Sequence, residues 1–365
     1  MKVLSKNLVV VAMSGGVDSS VAAYLLKEQR FEVIGISMKT HESTEAGETR
    51  GQTCCAARDI RDARRVCQQL DIPFYPINFK AEFEKEVIQN FLSEYAQGRT
   101  PNPCVRCNQD LKFSALLQKA HQLGAYYLAT GHYVQKVTDE KGHHHLLKAK
   151  DIGKDQSYFL FGLTQESLGH TLFPLGGLTK AEVRQIAKRA GLETSEKPES
   201  QEICFVSSGS YGDFVESRLG EAARSRGLFV TGGGMVLGEH AGIHRYTVGQ
   251  RRGTGIATGE KVYVTEIRPE KHEVVLGPKE SLLKKGVLVK GLQWVHPEPV
   301  SNGMNVLTKI RYRHLETPSS LTMIGNGLVR VDFENPDGAV TPGQAAVFYK
   351  GDELIGGGWI ERAID

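Results

Sequence analysis

The sequence has neither a long hydrophobic run nor a large excess of charge. No apolar stretch in its 365 residues approaches the length that spans a membrane, and the first residues lack the apolar region and cleavage site of a signal peptide. The formal net charge is only +3, so nucleic-acid binding would have to come from local basic patches. These absences predict a cytoplasmic protein without a membrane partner.

Cysteine is also scarce, with six residues in the whole chain. In a cytoplasmic protein such cysteines are more often catalytic, metal-binding or buried than paired in structural disulfides. Cys54, Cys55 and Cys67 fall at helical positions, and we assign them to packing. Cys104 and Cys107 instead form a C-x-x-C in a stretch whose prolines and asparagines predict a loop.

The C-x-x-C and Cys204, which follows a second polar loop, leave several chemistries open. A four-thiolate zinc site is weakly supported, because no second C-x-x-C occurs. Three thiolates could hold an iron–sulfur cluster with one iron open to a small ligand. Alternatively, one cysteine is a nucleophile and another carries a persulfide, which requires accessible and partly ionised thiols. Arg106, if it lies close to Cys107, would lower the pKa of that thiol.

Two widespread phosphate-binding patterns, G-x-x-x-x-G-K-[ST] and G-x-G-x-x-G, are absent as well. Residues 9–20 nevertheless predict a buried strand, a tight turn and the start of a helix. Gly15 and Gly16 let the backbone approach a bound group closely, and we expect Asp18 or Ser19 to cap the helix. Since free N–H groups at a helix start favour an anion, this segment predicts a phosphate site.

The remaining chain divides into three parts by pattern. Strands alternate with helices up to residue 205, which predicts a Rossmann-like parallel sheet covered on both faces. Residues 206–280 predict a small α+β central domain, and the short β-rich runs of residues 281–365 predict a C-terminal antiparallel β-barrel. The predicted fold class is therefore α/β with two smaller domains. The histidines of Lys141–His145 suggest a metal site, but we favour a solvated, hairpin-like turn.

Several motifs follow one another along the whole chain. They are S-G-G-V-D-S, T-P-N-P-x-x-x-C-N with K-F, A-T-G-H-Y, K-D-Q-S-Y-F-L, S-Q-E-I-C-F and H-x-Y-T-V-G-Q-R-R-G. The first resembles the pyrophosphate loop (PP-loop) of the ATP pyrophosphatase superfamily, and together they resemble the tRNA-specific 2-thiouridylase family. The resemblance implies an enzyme that uses ATP and Mg²⁺ to adenylate the C2 oxygen of the wobble uridine in tRNAs for Lys, Glu and Gln. It then replaces that oxygen with sulfur from a donor protein or hydrosulfide.

The same resemblance implies roles for the three cysteines. Cys204 matches the persulfide-bearing position, and Cys107 matches the nucleophile that releases sulfide and becomes disulfide-linked to Cys204. Many family members carry Asp where this chain has Cys104, so the base or positioning role of that carboxylate is missing here. The third thiol instead makes a route through a [4Fe-4S] cluster on Cys104, Cys107 and Cys204 an alternative.

The resemblance also implies the binding residues. Those for ATP are Ala12, Met13, Ser14, Gly15, Gly16, Val17, Asp18, Ser19, Met38 and Gly131. Those for tRNA are Asn102, Pro103, Cys104, His132, Lys154, Asp155, Gln156, Arg311, Tyr312 and Gln344. Local patches that could hold tRNA phosphates include Arg245, Arg251, Arg252, Lys309, Arg311 and Arg313. Two other functions stay open: another PP-loop adenylating enzyme, such as a tRNA lysidine synthetase, or a tRNA-binding protein without catalysis.

Overall fold

The computed structural model describes residues 3–40, 57–199, 203–206, 210–220, 225–298 and 300–365. Cys54 and Cys55, which we assign to packing, lie outside these residues. Cys67 is fully buried, which confirms its assignment to the core. Burial raises the pKa of the Cys67 thiol to about 12, so this cysteine stays a neutral and unreactive thiol.

The described strands form three sheets. In chain order they are β1 (Ser5–Ala12), β2 (Glu32–Lys39), β3 (Phe74–Asn78), β4 (Ala125–Ala129), β5 (Gln135–Thr138), β6 (His144–Leu147), β7 (Thr171–Leu172), β8 (Gly227–Thr231), β9 (Val236–His240), β10 (Tyr263–Arg268), β11 (Glu273–Gly277), β12 (Leu283–Trp294), β13 (Met304–Lys309), β14 (Thr317–Gly325), β15 (Leu328–Gly338), β16 (Ala345–Lys350) and β17 (Glu353–Ile364).

The first sheet is parallel and has the strand order β3-β2-β1-β4-β7. Val9, Val10 and Val11 on its central strand β1 are fully buried, as expected for a strand covered on both faces. The chain runs from β1 to β2 on one side, and the later strand β4 pairs with β1 on the other. The carboxyl ends of β1 and β4 thus flank the point where the strand order reverses, which is where open parallel sheets bind ligands. The predicted α/β class is confirmed.

The described α-helices surround this sheet or connect it to the rest of the chain. They are α1 (Val17–Glu28), α2 (Ala57–Gln69), α3 (Lys80–Phe83), α4 (Gln89–Ala96), α5 (Pro103–Arg106), α6 (Leu117–Leu123), α7 (Gln165–Gly169), α8 (Lys180–Arg189) and α9 (Tyr211–Leu219). The π-helical segment Glu84–Ile88 joins α3 to α4, and a second one, Cys107–Leu116, joins α5 to α6. Within the described part of the chain, no helix is long and apolar enough to cross a membrane.

The helix that begins at Pro103 corrects the loop predicted around the C-x-x-C. The side chain of Asn102 accepts a hydrogen bond from the N–H of Val105 at 3.3 Å, and Pro103 occupies the first helical turn. Proline favours that position, because its fixed φ suits a helix and its missing N–H would have no helical partner there. Cys104 and Cys107 therefore lie on the first turns of a helix that continues through α6, rather than in a loop.

The other two sheets come mainly from the second half of the chain. One has the strand order β10-β11-β8-β9. The other is antiparallel and has the strand order β12-β15-β14-β13-β16-β17. Because β12 also pairs with β17, these six strands form a closed barrel. The predicted β-barrel is confirmed. The hairpin β5–β6 extends the barrel sheet through β17, where Glu353 pairs with Leu147. The sequence did not predict this addition, because the hairpin lies far from the barrel strands in the chain.

One hydrophobic core connects these parts of the molecule. It contains Val10 from β1, Phe91 from α4, Val215 from α9 and Val347 and Leu354 from the barrel, all at most 1% exposed. A barrel core and a smaller core in the four-stranded sheet are separate from it. The domain boundaries that we place at residues 205 and 280 stay predictions.

Candidate functional site

The turn between β1 and α1 exposes the start of a helix at the carboxyl edge of the sheet. Gly16 occupies the N-cap position of α1, and among the described residues no side chain accepts a capping hydrogen bond there. The expectation that Asp18 or Ser19 caps the helix is therefore wrong. The hydroxyls of Ser19 and Ser20 instead donate to the Gly16 carbonyl at 3.2 Å and 2.8 Å. The Ser14 N–H donates to Ser19 Oγ at 3.2 Å, which folds the loop over the helix start.

Two glycines make room for this loop. Gly15 has φ +75°, and a Cβ there would lie 2.2 Å from the carbonyl oxygen of Asp59 on α2. Gly131, which follows β4, would bring a Cβ to 2.8 Å from the Ser19 nitrogen. Side chains are excluded at both positions, so the backbone of the turn forms a narrow cradle between β1, β4 and α2. Ala12 and Met38 pack, partly buried, beside the cradle against the shared core.

Asp18 lies at the centre of a charged network. Lys180 donates to both of its carboxylate oxygens at 2.7 Å and 2.8 Å, and the Tyr133 hydroxyl donates at 2.7 Å. Burial, and then the Asp18 carboxylate, raise the pKa of Tyr133 above its ordinary range. Lys180 also pairs with Glu199 at 2.7 Å, and Lys154 binds the second oxygen of Glu199 at 2.7 Å.

Glu199 carries the clearest electrostatic signature of this network. Burial acts to raise its pKa, but the hydrogen bonds and charges of Lys154 and Lys180 outweigh burial and hold the pKa at about 2. The residue therefore stays ionised at any physiological pH. Sequence reasoning missed both Lys180 and Glu199, since neither lies near the PP-loop in the chain.

Lys197 is a second lysine that the motifs did not indicate. Its ammonium group donates to the Gly15 carbonyl at 3.0 Å and to the Asp59 carboxylate at 2.6 Å, and it also binds Asp62. It thus joins the left-handed glycine of the loop to the first turns of α2. The ammonium groups of Lys180 and Lys197 both lie at the loop, and each is paired with two carboxylates of the protein.

The three cysteines of interest lie on two segments. Cys104 is exposed, whereas Cys107 and Cys204 are half-buried. Cys107 and Cys204 pack against the same hydrophobic core. Phe205 anchors the second segment through edge contacts with Phe83 and Phe91, whose ring centroids lie 5.7 Å and 5.1 Å away.

The segment before Cys104 is held by the barrel. Arg99 pairs with Glu94 at 2.7 Å and with Glu361 of β17 at 3.0 Å. The amide of Gln344 donates to the carbonyls of Thr100 and Pro101 at 2.9 Å and 3.1 Å. The Thr100 N–H in turn donates to the carbonyl of Pro342 at 2.9 Å. These contacts fix the entry to the helix that carries the two cysteines.

Arg106 faces the barrel as well. Its guanidinium lies 4.3 Å from the ring centroid of Trp359 on β17. Its Nε is buried, and within the described part of the chain that atom has no hydrogen-bond partner. The lowering of the Cys107 pKa by Arg106 stays a prediction.

Several residues predicted to contact tRNA also make hydrogen bonds within the protein. The Asp155 carboxylate accepts from the Ala149 N–H at 3.0 Å and from the Ser157 hydroxyl at 2.7 Å. Gln156 accepts from the Tyr133 N–H at 3.0 Å. Arg311 donates to the carbonyl of Val248 at 2.5 Å, and burial lowers the pKa of its guanidinium.

The aromatic residues of the same set are packed against neighbours. His132 Nδ1 lies 2.8 Å from Thr130 Oγ1, and the centroid of its ring lies 5.8 Å from that of Phe113 and 6.5 Å from that of Phe173. Burial, and then Lys112, lower the pKa of His132 well below its ordinary value, so the imidazole is neutral. The Tyr312 ring lies 4.4 Å from that of Phe159. Contacts of all these residues with tRNA stay predictions.

The basic patches also differ in availability. Arg245 pairs with Asp213 at 2.9 Å and with Glu216 at 2.6 Å, which neutralises much of its charge locally. Arg251, Arg252 and Arg313 are exposed on the surface. These exposed arginines are therefore better placed than Arg245 to meet phosphate groups.

A glycine cradle at the carboxyl end of the central parallel strand, with lysines around the helix start, defines a PP-loop nucleotide-binding domain. Comparison with known proteins narrows this class. Residues 7–208 match the tRNA methyl transferase HUP domain, residues 212–278 the tRNA methyl transferase PRC-barrel domain, and residues 284–360 the aminomethyltransferase beta-barrel domain. The chain belongs to the family of tRNA-specific 2-thiouridylases.

Relatives along the full length carry that family's name. The tRNA-specific 2-thiouridylase MnmA of Geobacter metallireducens is 52% identical over 363 residues, which cover 99% of this chain and 98% of that protein. The protein of the same name from Geotalea uraniireducens is 51% identical, with 99% and 96% covered. The one from Clostridium perfringens is 47% identical, with 99% and 100% covered.

Proposed function

We propose that this protein uses ATP to replace the C2 oxygen of a wobble uridine in tRNA with sulfur. The observation that carries the proposal is the full-length similarity to relatives named tRNA-specific 2-thiouridylase. Two structural features support it: the glycine cradle at the PP-loop, and the packing of Cys107 and Cys204 against one core. We further propose tRNAs for Lys, Glu and Gln as substrates and a donor protein or hydrosulfide as the sulfur source.

The cradle fits the phosphates of ATP. The uncapped N–H groups at the start of α1 and the ammonium groups of Lys180 and Lys197 lie where negative charge would be bound. Asp18 is the carboxylate of the loop and would hold Mg²⁺, which supplies charge neutralisation of the pyrophosphate. Asp18 now binds Lys180, so the metal would compete with this lysine, which also pairs with Glu199. The uridine C2 oxygen attacks the α-phosphorus, pyrophosphate leaves, and the oxygen becomes part of a good leaving group, AMP.

The cysteines supply the second half of the reaction. With a persulfide on Cys204, the Cys107 thiolate attacks Cys204 Sγ, and the sulfur–sulfur bond of the persulfide breaks. A Cys107–Cys204 disulfide forms, and the outer sulfur leaves as hydrosulfide. Hydrosulfide attacks C2 of the adenylated uridine, loses its proton to solvent and expels AMP with the original oxygen. An external dithiol then reduces the disulfide and restores both thiols.

A second route is favoured by the position of Cys104. Its side chain is exposed on the same helix as Cys107 and one turn before it. In this route Cys104, Cys107 and Cys204 would hold a [4Fe-4S] cluster, which would supply an iron atom that binds hydrosulfide. Anaerobic reconstitution followed by iron and sulfide analysis tests it. Full activity of the iron-free enzyme with a persulfide donor would exclude it.

Mass analysis of tRNA nucleosides tests the proposed function. Unmodified tRNA is incubated with the protein, a sulfur donor and either ATP or S-adenosylmethionine, because the descriptions of two matching domains refer to methyl transfer. We expect 2-thiouridine in the mixture that contains ATP and not in the one that contains S-adenosylmethionine. A methylated nucleoside would contradict the proposal and identify another reaction.

Cysteine variants separate the proposal from other PP-loop functions. We expect Cys107→Ser and Cys204→Ser to abolish thiolation while ATP binding persists, because the ATP cradle lies on other elements. The matched control is Cys67→Ser, which alters a buried cysteine of the core and tests whether loss of a thiol simply harms the fold. Unchanged thiolation in both variants would contradict the role of the cysteine pair.

A further inference from the structure

The histidine-rich turn of the hairpin β5–β6 brings one imidazole to the barrel. In a strand, successive side chains point to opposite faces, so His144 lies on the other face from His143 and His145, which both contact Asp139. His143 Nδ1 lies 3.4 Å from the Asp139 carboxylate, and His144 Nδ1 lies 2.9 Å from Thr138 Oγ1 within the hairpin. His145 alone of the three also contacts the barrel, at Glu353, the first residue of β17.

Two barrel residues complete a cluster with His145. His145 Nδ1 and His296 Nδ1 lie 2.6 Å and 2.8 Å from the same oxygen of Glu353, Oε1. His296 follows the end of β12, and its N–H donates to the Ile355 carbonyl at 3.0 Å, so neighbouring barrel strands hold both barrel residues. All three side chains are about one-fifth exposed, at 22%, 18% and 21%, so that water and ions have access.

This donor set is the kind that binds Zn²⁺. Two imidazole nitrogens and one carboxylate oxygen, with a water in the fourth position, form a frequent tetrahedral zinc site. The ligand atoms all lie within 4.8 Å of one another. Tetrahedral zinc with bonds of about 2.1 Å holds its ligand atoms about 3.4 Å apart, so only small side-chain movements are needed.

A further carboxylate, that of Asp139, lies near the second ring nitrogen of His145. Asp139 Oδ2 is 3.5 Å from His145 Nε2, on the side of the ring opposite Glu353. Metal-binding histidines commonly have a carboxylate at their second nitrogen, which orients the ring and strengthens it as a ligand. His145 thus faces the ligand cluster through Nδ1 and the orienting carboxylate of Asp139 through Nε2.

We propose that His145, His296 and Glu353 bind one Zn²⁺ ion, with water as the fourth ligand, and that the ion joins the hairpin β5–β6 to the barrel. The site is separate from the cysteines and from the PP-loop. The ion would hold the hairpin β5–β6 and the barrel in one arrangement.

Cobalt titration tests this site. The full chain carrying Cys104→Ser, Cys107→Ser and Cys204→Ser, which removes competing thiolates, is stripped with a chelator and titrated with Co²⁺. Visible absorption reports tetrahedral coordination, and Zn²⁺ is then added as a competitor. We expect one equivalent of Co²⁺, displaced by Zn²⁺. His145→Ala and His296→Ala should each weaken binding by about tenfold or more, and Asp139→Asn by about tenfold.

His144→Ala is the matched control, because His144 lies in the same hairpin and its ring contacts Thr138, outside the cluster. The control variant should bind Co²⁺ as the parent chain does. Its melting temperature should rise by the same amount when Zn²⁺ is added. Circular dichroism shows whether each variant folds, and His145→Gln, which keeps a hydrogen-bonding side chain, replaces any alanine variant that does not. Absence of stoichiometric binding, or binding that survives both histidine changes, would overturn the proposal and leave only an ion-pair cluster.

Discussion

At the scale of single residues, Gly15 shows why the PP-loop needs its glycines. Its φ of +75° lies in the left-handed region, and the Asp59 carbonyl fills the space where a Cβ would be. The neighbouring Gly16 has φ −95°, and a Cβ there would meet only Ser14 Oγ at an ordinary 3.5 Å. Of these two adjacent glycines, Gly16 therefore has room for a Cβ and Gly15 does not.

We predict that Gly15→Ala weakens ATP binding far more than Gly16→Ala. The left-handed backbone alone costs about 1–3 kcal/mol for a non-glycine residue, and the contact with Asp59 adds to it. The expected loss of ATP affinity is about tenfold or more. Calorimetry of ATP binding to both variants measures it, and equal effects of the two substitutions would contradict the described loop.

A second prediction at this scale concerns Glu199 and acid stability. Its folded pKa of about 2 lies below the value of about 4.3 for an unfolded chain. The unfolded state therefore binds more protons, and the stabilisation is complete above about pH 4.3 and is lost as the pH falls towards 2. Glu199→Gln should flatten the decline of the unfolding free energy in this window.

The control for Glu199 is Glu193→Gln, since Glu193 is a surface carboxylate that is 64% exposed. Urea unfolding at a series of pH values measures both variants. If Glu193→Gln flattened the acid decline as much as Glu199→Gln, the network around Lys180 would not be the cause.

At the scale of elements, the segment from Arg99 to the start of α5 depends on the barrel. Gln344 holds the carbonyls of Thr100 and Pro101, immediately before the cap residue Asn102. Its amide has a partner within the protein, so a positioning role competes with direct contact to tRNA.

We predict that Gln344→Leu lowers kcat of thiolation and leaves tRNA and ATP affinity unchanged. The hydrophobic side chain cannot donate to the two carbonyls, so the helix bearing Cys104 and Cys107 is less well positioned. Gln97→Leu is the control, because Gln97 is exposed and its side-chain amide donates to the nearby hydroxyl of Ser93 on α4. A large fall in tRNA affinity with intact kcat would instead favour direct tRNA contact by Gln344.

The elements also show what a sequence can and cannot predict. The apolar run through Val9–Val11 and the alternating short strands after residue 281 identify the parallel sheet and the barrel, since burial patterns are local. The start of α5 was missed because Pro103 and Asn102 favour either a loop or a helix start, and context decides. Lys180, Lys197 and Gln344 act through contacts between distant segments, which no local pattern records.

At the scale of the whole molecule, one core joins the first sheet, α9 and the barrel. Arg99, Gln344 and Arg311 add polar contacts across the same junctions. The cysteines therefore lie where separate parts of the chain meet, and the barrel contributes to the geometry of the candidate site.

This shared core predicts cooperative unfolding. The chain has two tryptophans, Trp294 and Trp359, and both lie on barrel strands, whereas most helices surround the first sheet. Tryptophan fluorescence and far-ultraviolet circular dichroism should therefore give coincident urea transitions. Leu354→Ala, in the shared core, should move both transitions together and cost about 2–5 kcal/mol. A fluorescence transition that precedes loss of helix would mean that the barrel unfolds independently.

The most direct test of the central claim is a single turnover of enzyme loaded with persulfide on Cys204, mixed with ATP and unmodified tRNA without a reductant. Mass analysis quantifies 2-thiouridine and AMP, and peptide mapping detects the Cys107–Cys204 disulfide. We predict equal amounts of 2-thiouridine, AMP and disulfide, followed by arrest until a dithiol is added. Sulfur transfer without AMP formation, or AMP formation without 2-thiouridine, would contradict the proposed coupling of the PP-loop to the cysteine pair.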